Sequence, residues 1–257
     1  YDLKDMSKTE LEALAYHEGV PGHHLQRAVQ TELTGLPPFR RFGGFTAYTE
    51  GWGLYSEELA KDMGFYTDPY SDFGRLGMEL WRACRLVVDT GIHDKRWSRE
   101  QAIKYLKDNT PNPQGDIEKA IERYIVYPGQ ATAYLIGKLK IMELRTRAQA
   151  ALGSKFDFRA FHDVVLESGP VPLDTLERRV DAWIAGRRSA AAAPGPSWGR
   201  LRRSAAALST VTGGAGARRA PEAPRARCAQ QRGAHQAPRT PPIVPLCPSR
   251  SEEHTSE

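Results

Sequence analysis

The chain has 257 residues, 36 Lys and Arg against 31 Asp and Glu, and a formal net charge of +5, a length for one large domain or two small ones. The positive charge is not evenly spread: residues 189–257 hold ten Arg and four Glu, which leaves 26 basic and 27 acidic residues, a net of −1, in residues 1–188. That near-neutral balance gives no reason to expect a nucleic-acid or membrane partner, and no apolar run approaches the roughly 18–20 residues of a membrane span.

In chain order, residues 3–33 read as helix, with Leu3, Met6, Leu11, Leu14 and Ala15 at 3–4 spacing and Ser7 to Glu10 as a capping box. Pro21-Gly22 interrupts it. A loop follows over residues 35–44, then a helix over 46–63 and another over 70–92 with Leu76, Leu80, Cys84, Val87 and Val88 on its apolar stripe. Ser98 to Gln101 is a second capping box, opening a helix to Lys107. Asp108 to Pro113 is a turn, and helices are expected at 114–125, 128–151, 157–167 and 172–185. Strand signals are weak, so the class is mainly α, helix packed on helix.

Cys84 is the one cysteine before residue 188, so this part needs no internal disulfide and leaves the compartment open. The chain opens at Tyr1, inside a recognisable pattern, and reads as a fragment with any signal peptide out of view. Residues 188–257 are rich in Ala, Pro, Arg, Gly and Ser, with one Trp and no Phe or Tyr. Such a segment buries too little apolar surface to offset its ordering entropy. It reads as a disordered tail, either natural or non-native. The non-native reading rests on Arg250 to Glu257, which match the translation of a sequencing-adapter oligonucleotide, and on the bias of a GC-rich frame read out of phase before it. His235 and His254 are therefore set aside, and a structured domain is expected over residues 1–187.

The chemistry concentrates in His17-Glu18-Gly-Val-Pro21-Gly22-His23-His24. A hydrolytic zinc site takes three protein ligands from His and carboxylate and keeps one position for water. In H-E-x-x-H, two His at i and i+4 share a helical face with the Glu as general base. Here the later histidines stand at i+6 and i+7. On an unbroken helix, i+7 lies roughly 10.5 Å up the axis, too far for two nitrogens that must both approach one ion to about 2.0–2.1 Å. Proline clashes with the carbonyl of His17, four residues back, and glycine permits an unusual dihedral. A bulge at Pro21-Gly22 would bring His23 to the second ligand position, with His24 the alternative. The third ligand is expected from Glu50, on a helix whose Gly51 and Gly53 allow close approach. Glu57, one heptad on, is the alternative or a supporting partner, and Glu58 reads as a solvated charge.

Four blocks carry a resemblance. His17 to Gln26 match H-E-x-x-P-G-H-H-L-Q, Thr49 to Tyr55 match T-E-G-W-x-L-Y, Tyr127 to Gly137 match Y-P-G-Q-A-x-x-Y-x-x-G, and Phe161 to Leu173 complete the set. Over residues 1–186 the chain resembles the C-terminal third of a bacterial family catalogued as domain of unknown function 885. That family is similar to gluzincin metallopeptidases, whose zinc is held by two His and a Glu in a helical protein with a deep cleft. The resemblance implies one Zn2+, peptide substrates and a carboxypeptidase or dipeptidase activity. It also implies that a downstream tyrosine aids the oxyanion. Tyr134 is preferred, with Tyr127 and Gln130 as further candidates.

Arg82 and Arg85 are candidates to bind a substrate carboxylate, against the plainer reading of ion pairs. His93 and His162 could line the cleft, with His162 alternatively capping its helix, and Trp52 and Trp81 are expected in the core. The leading expectation is a peptidase with Glu18 as base. The competing readings are another metal enzyme, non-haem iron or amidohydrolase-type, and a truncated fragment without activity.

Overall fold

The computed structural model describes residues 7–192. The chain divides into units Tyr1–Ser197 and Trp198–Glu257, and the described residues all belong to the first. The tail expectation lies outside them from residue 193 on, as do Leu3 and Met6 of the first apolar stripe. The described residues are mainly helical and contain no strand: α1 (Leu11–Glu18), α2 (His23–Glu32), α3 (Pro38–Phe42), α4 (Thr46–Asp62), α5 (Pro69–His93), α6 (Arg99–Asn109), α7 (Gln114–Val126), α8 (Ala133–Leu152), α9 (Phe158–Leu166) and α10 (Leu173–Ala192). None of these helices is long and apolar enough to cross a membrane.

Helix α4 is the axis of the fold. Its Tyr48, Trp52, Tyr55 and Leu59 join Ile141 and Leu144 of α8, Phe161 and Val165 of α9, and Leu176 and Val180 of α10 in the main core. A second core joins Trp81, Cys84 and Val88 of α5 to Leu106 of α6 and Ile117, Ile121 and Tyr124 of α7. A small third cluster packs Ala13 of α1 against Ala60, Tyr66 and Met78. Helices α4 and α8 cross at Gly51 and Gly137. A Cβ on Gly51 would stand 2.5 Å from the Gly137 backbone, and one on Gly137 would stand 1.9 Å from the Ala47 carbonyl oxygen.

Several expectations change. Ser7 does not cap a helix through its side chain. It bonds Thr9 Oγ1 instead, and a short 3₁₀ turn at Lys8–Glu10 precedes α1. The Ser98–Gln101 capping box forms as expected. The stretch expected as loop contains α3, with Pro38 at its first position. Helix α8 begins at Ala133 rather than 128, because Gly129 takes a positive φ of 79° and residues 127–132 form turns. Helix α10 runs to Ala192, past the expected boundary at 187.

Leu11 and Leu14 are exposed, and α1 buries Ala13 and His17 instead. Leu76, Leu80 and Val87 of α5 are likewise exposed, while Arg75, Arg82 and Asp89, spaced by heptads, are buried. Burial of a charge requires a partner. Arg75 finds Asp72 at 2.8 Å and Glu58 at 3.0 Å, and Asp89 accepts from the Gly129 amide at 3.1 Å. Glu58 also meets Lys138 at 3.3 Å, so it is not the solvated charge the sequence suggested.

Candidate metal centre

The turn at Pro21-Gly22 is a complete break between two helices, not a bulge within one. Helix α1 ends at Glu18 and α2 starts at His23. Gly22 lies so close to the end of α1 that a Cβ would stand 1.9 Å from the His17 carbonyl oxygen. The Trp52 indole donates to the Pro21 carbonyl oxygen at 2.8 Å, which fastens the break to α4. Trp52 is in the core as expected, and this second contact is what the sequence reading missed.

The break turns His23 back toward His17. Their rings meet edge to face with centroids 4.6 Å apart. Glu50 Oε2 lies 3.2 Å from His23 Nε2 and 3.7 Å from His17 Nε2, and one ligand atom from each residue lies within 4.8 Å of the others. Ligands about 2.0–2.1 Å from a common ion at tetrahedral angles stand roughly 3.3 Å apart, so the donor set and its spacing fit zinc. Gly53 makes the room: a Cβ there would stand 2.7 Å from His17 Nε2 and 2.9 Å from His23 Cε1. His24 is exposed and outside the cluster.

Glu57 is fully buried and meets His17 Nδ1 at 2.8 Å. It leaves Nε2 facing Glu50, the arrangement in which a carboxylate orients a metal-binding imidazole. Arg82 lies behind it, 3.8 Å from the same carboxylate oxygen. Burial pushes the Glu50 carboxyl upward, but the close approach of the His17 and His23 imidazoles prevails and holds its pKa at about 2. Burial likewise pushes the His17 imidazole down, and the two carboxylates beside it, Glu50 and the hydrogen-bonded Glu57, more than offset it, so its pKa is raised.

The cluster opens on a cleft of about 440 Å³ lined also by Glu18, Arg27, Thr49, Arg82, Arg85 and Tyr134. Glu18 is exposed there, beside the cluster. The Tyr134 ring stacks 6.2 Å from His17, and its hydroxyl oxygen accepts from Gln130 Nε2 at 3.3 Å. The anchor of the Gly129 turn on Asp89 carries the chain into Tyr134 at the start of α8. Tyr127 is 61% exposed and does not line the cleft.

Neither of the other histidines lines the cleft. His93 donates to the Tyr124 carbonyl at 2.8 Å. His162 bonds the Tyr55 hydroxyl at 2.8 Å, while Asp157, not His162, caps α9. Arg27 and Thr49 were not singled out from the sequence. Their positions carried a signal, since Thr49 opens the block that contains Glu50 and Arg27 stands one helical turn after His23 on α2.

Two solved structures are similar to this chain. One is described as "the putative lipoprotein from Colwellia psychrerythraea": it is 52% identical with a TM-score of 0.71, and the match covers 72% of this chain and 32% of that one. The other, from Shewanella oneidensis, is described as "a putative lipoprotein of unknown function", is 26% identical with a TM-score of 0.63, and covers 68% and 32%. The chain thus spans about a third of the length of the solved chains it matches. No curated protein matches the sequence. Residues 1–180 match the family described as bacterial protein of unknown function (DUF885), with the site residues from His17 to Tyr134 inside the match, and the chain belongs to that family.

Proposed function

We propose that this chain carries the metal-binding part of a zinc-dependent peptidase, whose activity belongs to the whole, longer protein. The observation that carries the reading is the convergence of His17 Nε2, His23 Nε2 and Glu50 Oε2 on one point in the wall of a cleft. Zinc held there by these three residues would polarise a substrate carbonyl and lower the pKa of a water toward neutrality.

The remaining chemistry falls to this chain's own side chains. Glu18 takes a proton from the attacking water and passes it to the leaving amine, as a positioned carboxylate can. It sits in the cleft next in sequence to His17. Tyr134 donates to the developing oxyanion. Its oxygen already accepts from Gln130, so the hydroxyl proton is free to point elsewhere. Glu57 holds the His17 ring by Nδ1 and so presents its Nε2 lone pair to a cation. A glutamate beside the first ligand suits hydrolysis, whereas an oxygenase has no use for that base.

The test is metal quantitation joined to peptide-library digestion on the full-length protein. Glu18→Gln is expected to keep stoichiometric zinc and lose at least about a hundredfold in turnover, the usual contribution of a general base. Full turnover in that variant would remove Glu18 from the role. Purified protein containing iron rather than zinc, or no metal, would overturn the peptidase reading.

A further inference from the structure

We propose that the cleft receives a substrate bearing a free carboxylate, and that Arg85 is the group that binds it. This rests on the cleft being the substrate site of the proposed peptidase, and it gives that enzyme peptides cut near their carboxyl end. The starting point is the charge on α5. Arg75 is matched by Asp72, Glu58 and Glu79. Arg82 is 92% buried, donates to the Met78 carbonyl and reaches Glu57 at 3.8 Å. Arg85, one turn further on the same face, has no carboxylate within 4.0 Å among the described residues. The Nε atoms of both Arg82 and Arg85 are buried without a hydrogen-bond partner.

Arg85 is held by aromatic faces instead. Its guanidinium carbon lies 4.7 Å from the Tyr134 ring centroid, 5.8 Å from that of Tyr124 and 5.9 Å from that of Trp81. Such stacking fixes the plane of the guanidinium without cancelling its charge. A planar fork held in place, with donors unused, is the arrangement that accepts a carboxylate through two parallel hydrogen bonds. The surroundings favour an anion as well. Three arginines line the cleft against Glu18 and Glu50, and Glu50 is already engaged by two imidazoles. Tyr134 touches both Arg85 and His17, so a carboxylate on Arg85 would lie beside the metal cluster.

Calorimetric titration of this chain after EDTA treatment, so that no metal contributes, decides the matter. The probes are one N-acetylated tripeptide as the free acid and as its C-terminal amide. The acid is expected to bind at least tenfold more tightly than the amide. Arg85→Gln should bring the acid down to the amide's affinity and leave the amide unchanged, with the melting temperature checked alongside. Equal affinity for acid and amide on the unaltered chain, or no binding of either, overturns the inference, and neither result depends on how the variant folds. An acid preference that survives Arg85→Gln overturns the assignment to Arg85. An acid preference in a zinc-loaded full-length protein that cleaves no peptide would sink the peptidase reading and leave the carboxylate site standing.

Discussion

Gly53 sets how closely two imidazoles can share one point. The atoms nearest its absent Cβ belong to His17 and His23, at 2.7–2.9 Å, so the smallest side chain displaces the rings before it disturbs any backbone. Gly53→Ala is therefore expected to weaken zinc at least tenfold in a competition titration with a chromophoric chelator. The helical circular dichroism should stay intact, because alanine favours helix over glycine. Unchanged zinc affinity would mean that the rings move aside freely. The glycine was legible as a small residue near Glu50, but its purpose was not. Sequence spacing suggested close approach of a backbone, and that is true of Gly51 against Gly137, while Gly53 admits side chains. The choice between His23 and His24 was similarly open on spacing alone, since both follow the same Pro-Gly.

At the scale of elements, the crossing of α4 and α8 holds Glu50 and Tyr134 in one wall. Its tightness comes from Gly51 and Gly137 meeting backbone to backbone. Gly137→Ala would place a methyl 1.9 Å from the Ala47 oxygen, and backbone cannot swing away as a side chain can. A net loss of about 2 kcal/mol in urea unfolding is expected from such overpacking, despite the gain in helix propensity. Gly186 on α10, with nothing within 4 Å of its Cβ position, is the matched control. Gly186→Ala should stabilise by up to about 1 kcal/mol. Equal effects at the two positions would show that α4 and α8 part without cost. Most helix bounds were readable from apolar period and from caps such as Ser98. The start of α8 was not, because it depends on Gly129 holding a positive φ while Asp89, forty residues away, accepts its amide.

Across the whole molecule, stability should carry a signature of His162, which sits where α9 packs on Trp52 and Tyr55 of α4. Burial, and then the nearby Arg145 charge, lower its pKa from 6.5 to about 4. The unfolded chain therefore takes up a proton on this group before the folded chain does. Its contribution is constant above about pH 6.5 and is lost as pH falls toward 4, up to about 3 kcal/mol. The measurement is urea unfolding of metal-free protein between pH 8 and 4, comparing the unaltered chain with His162→Phe. Parallel profiles for the two would show that His162 charges in the fold at no cost. What the sequence by itself determined was the mainly helical class, the family, and the two short blocks around His17 and Glu50 from which candidate ligands come, because period, caps and short motifs are local properties of the chain. Tertiary structure alone decided that His23 rather than His24 meets His17 and Glu50, across a full break between α1 and α2 pinned by Trp52, that Arg82 and Arg85 face the cleft, and that Leu11, Leu14 and Leu76 lie outside. The reason is the same in each case: which face of a helix is buried, and which distant side chain answers a buried charge, is settled by neighbours that the helix's own sequence does not contain.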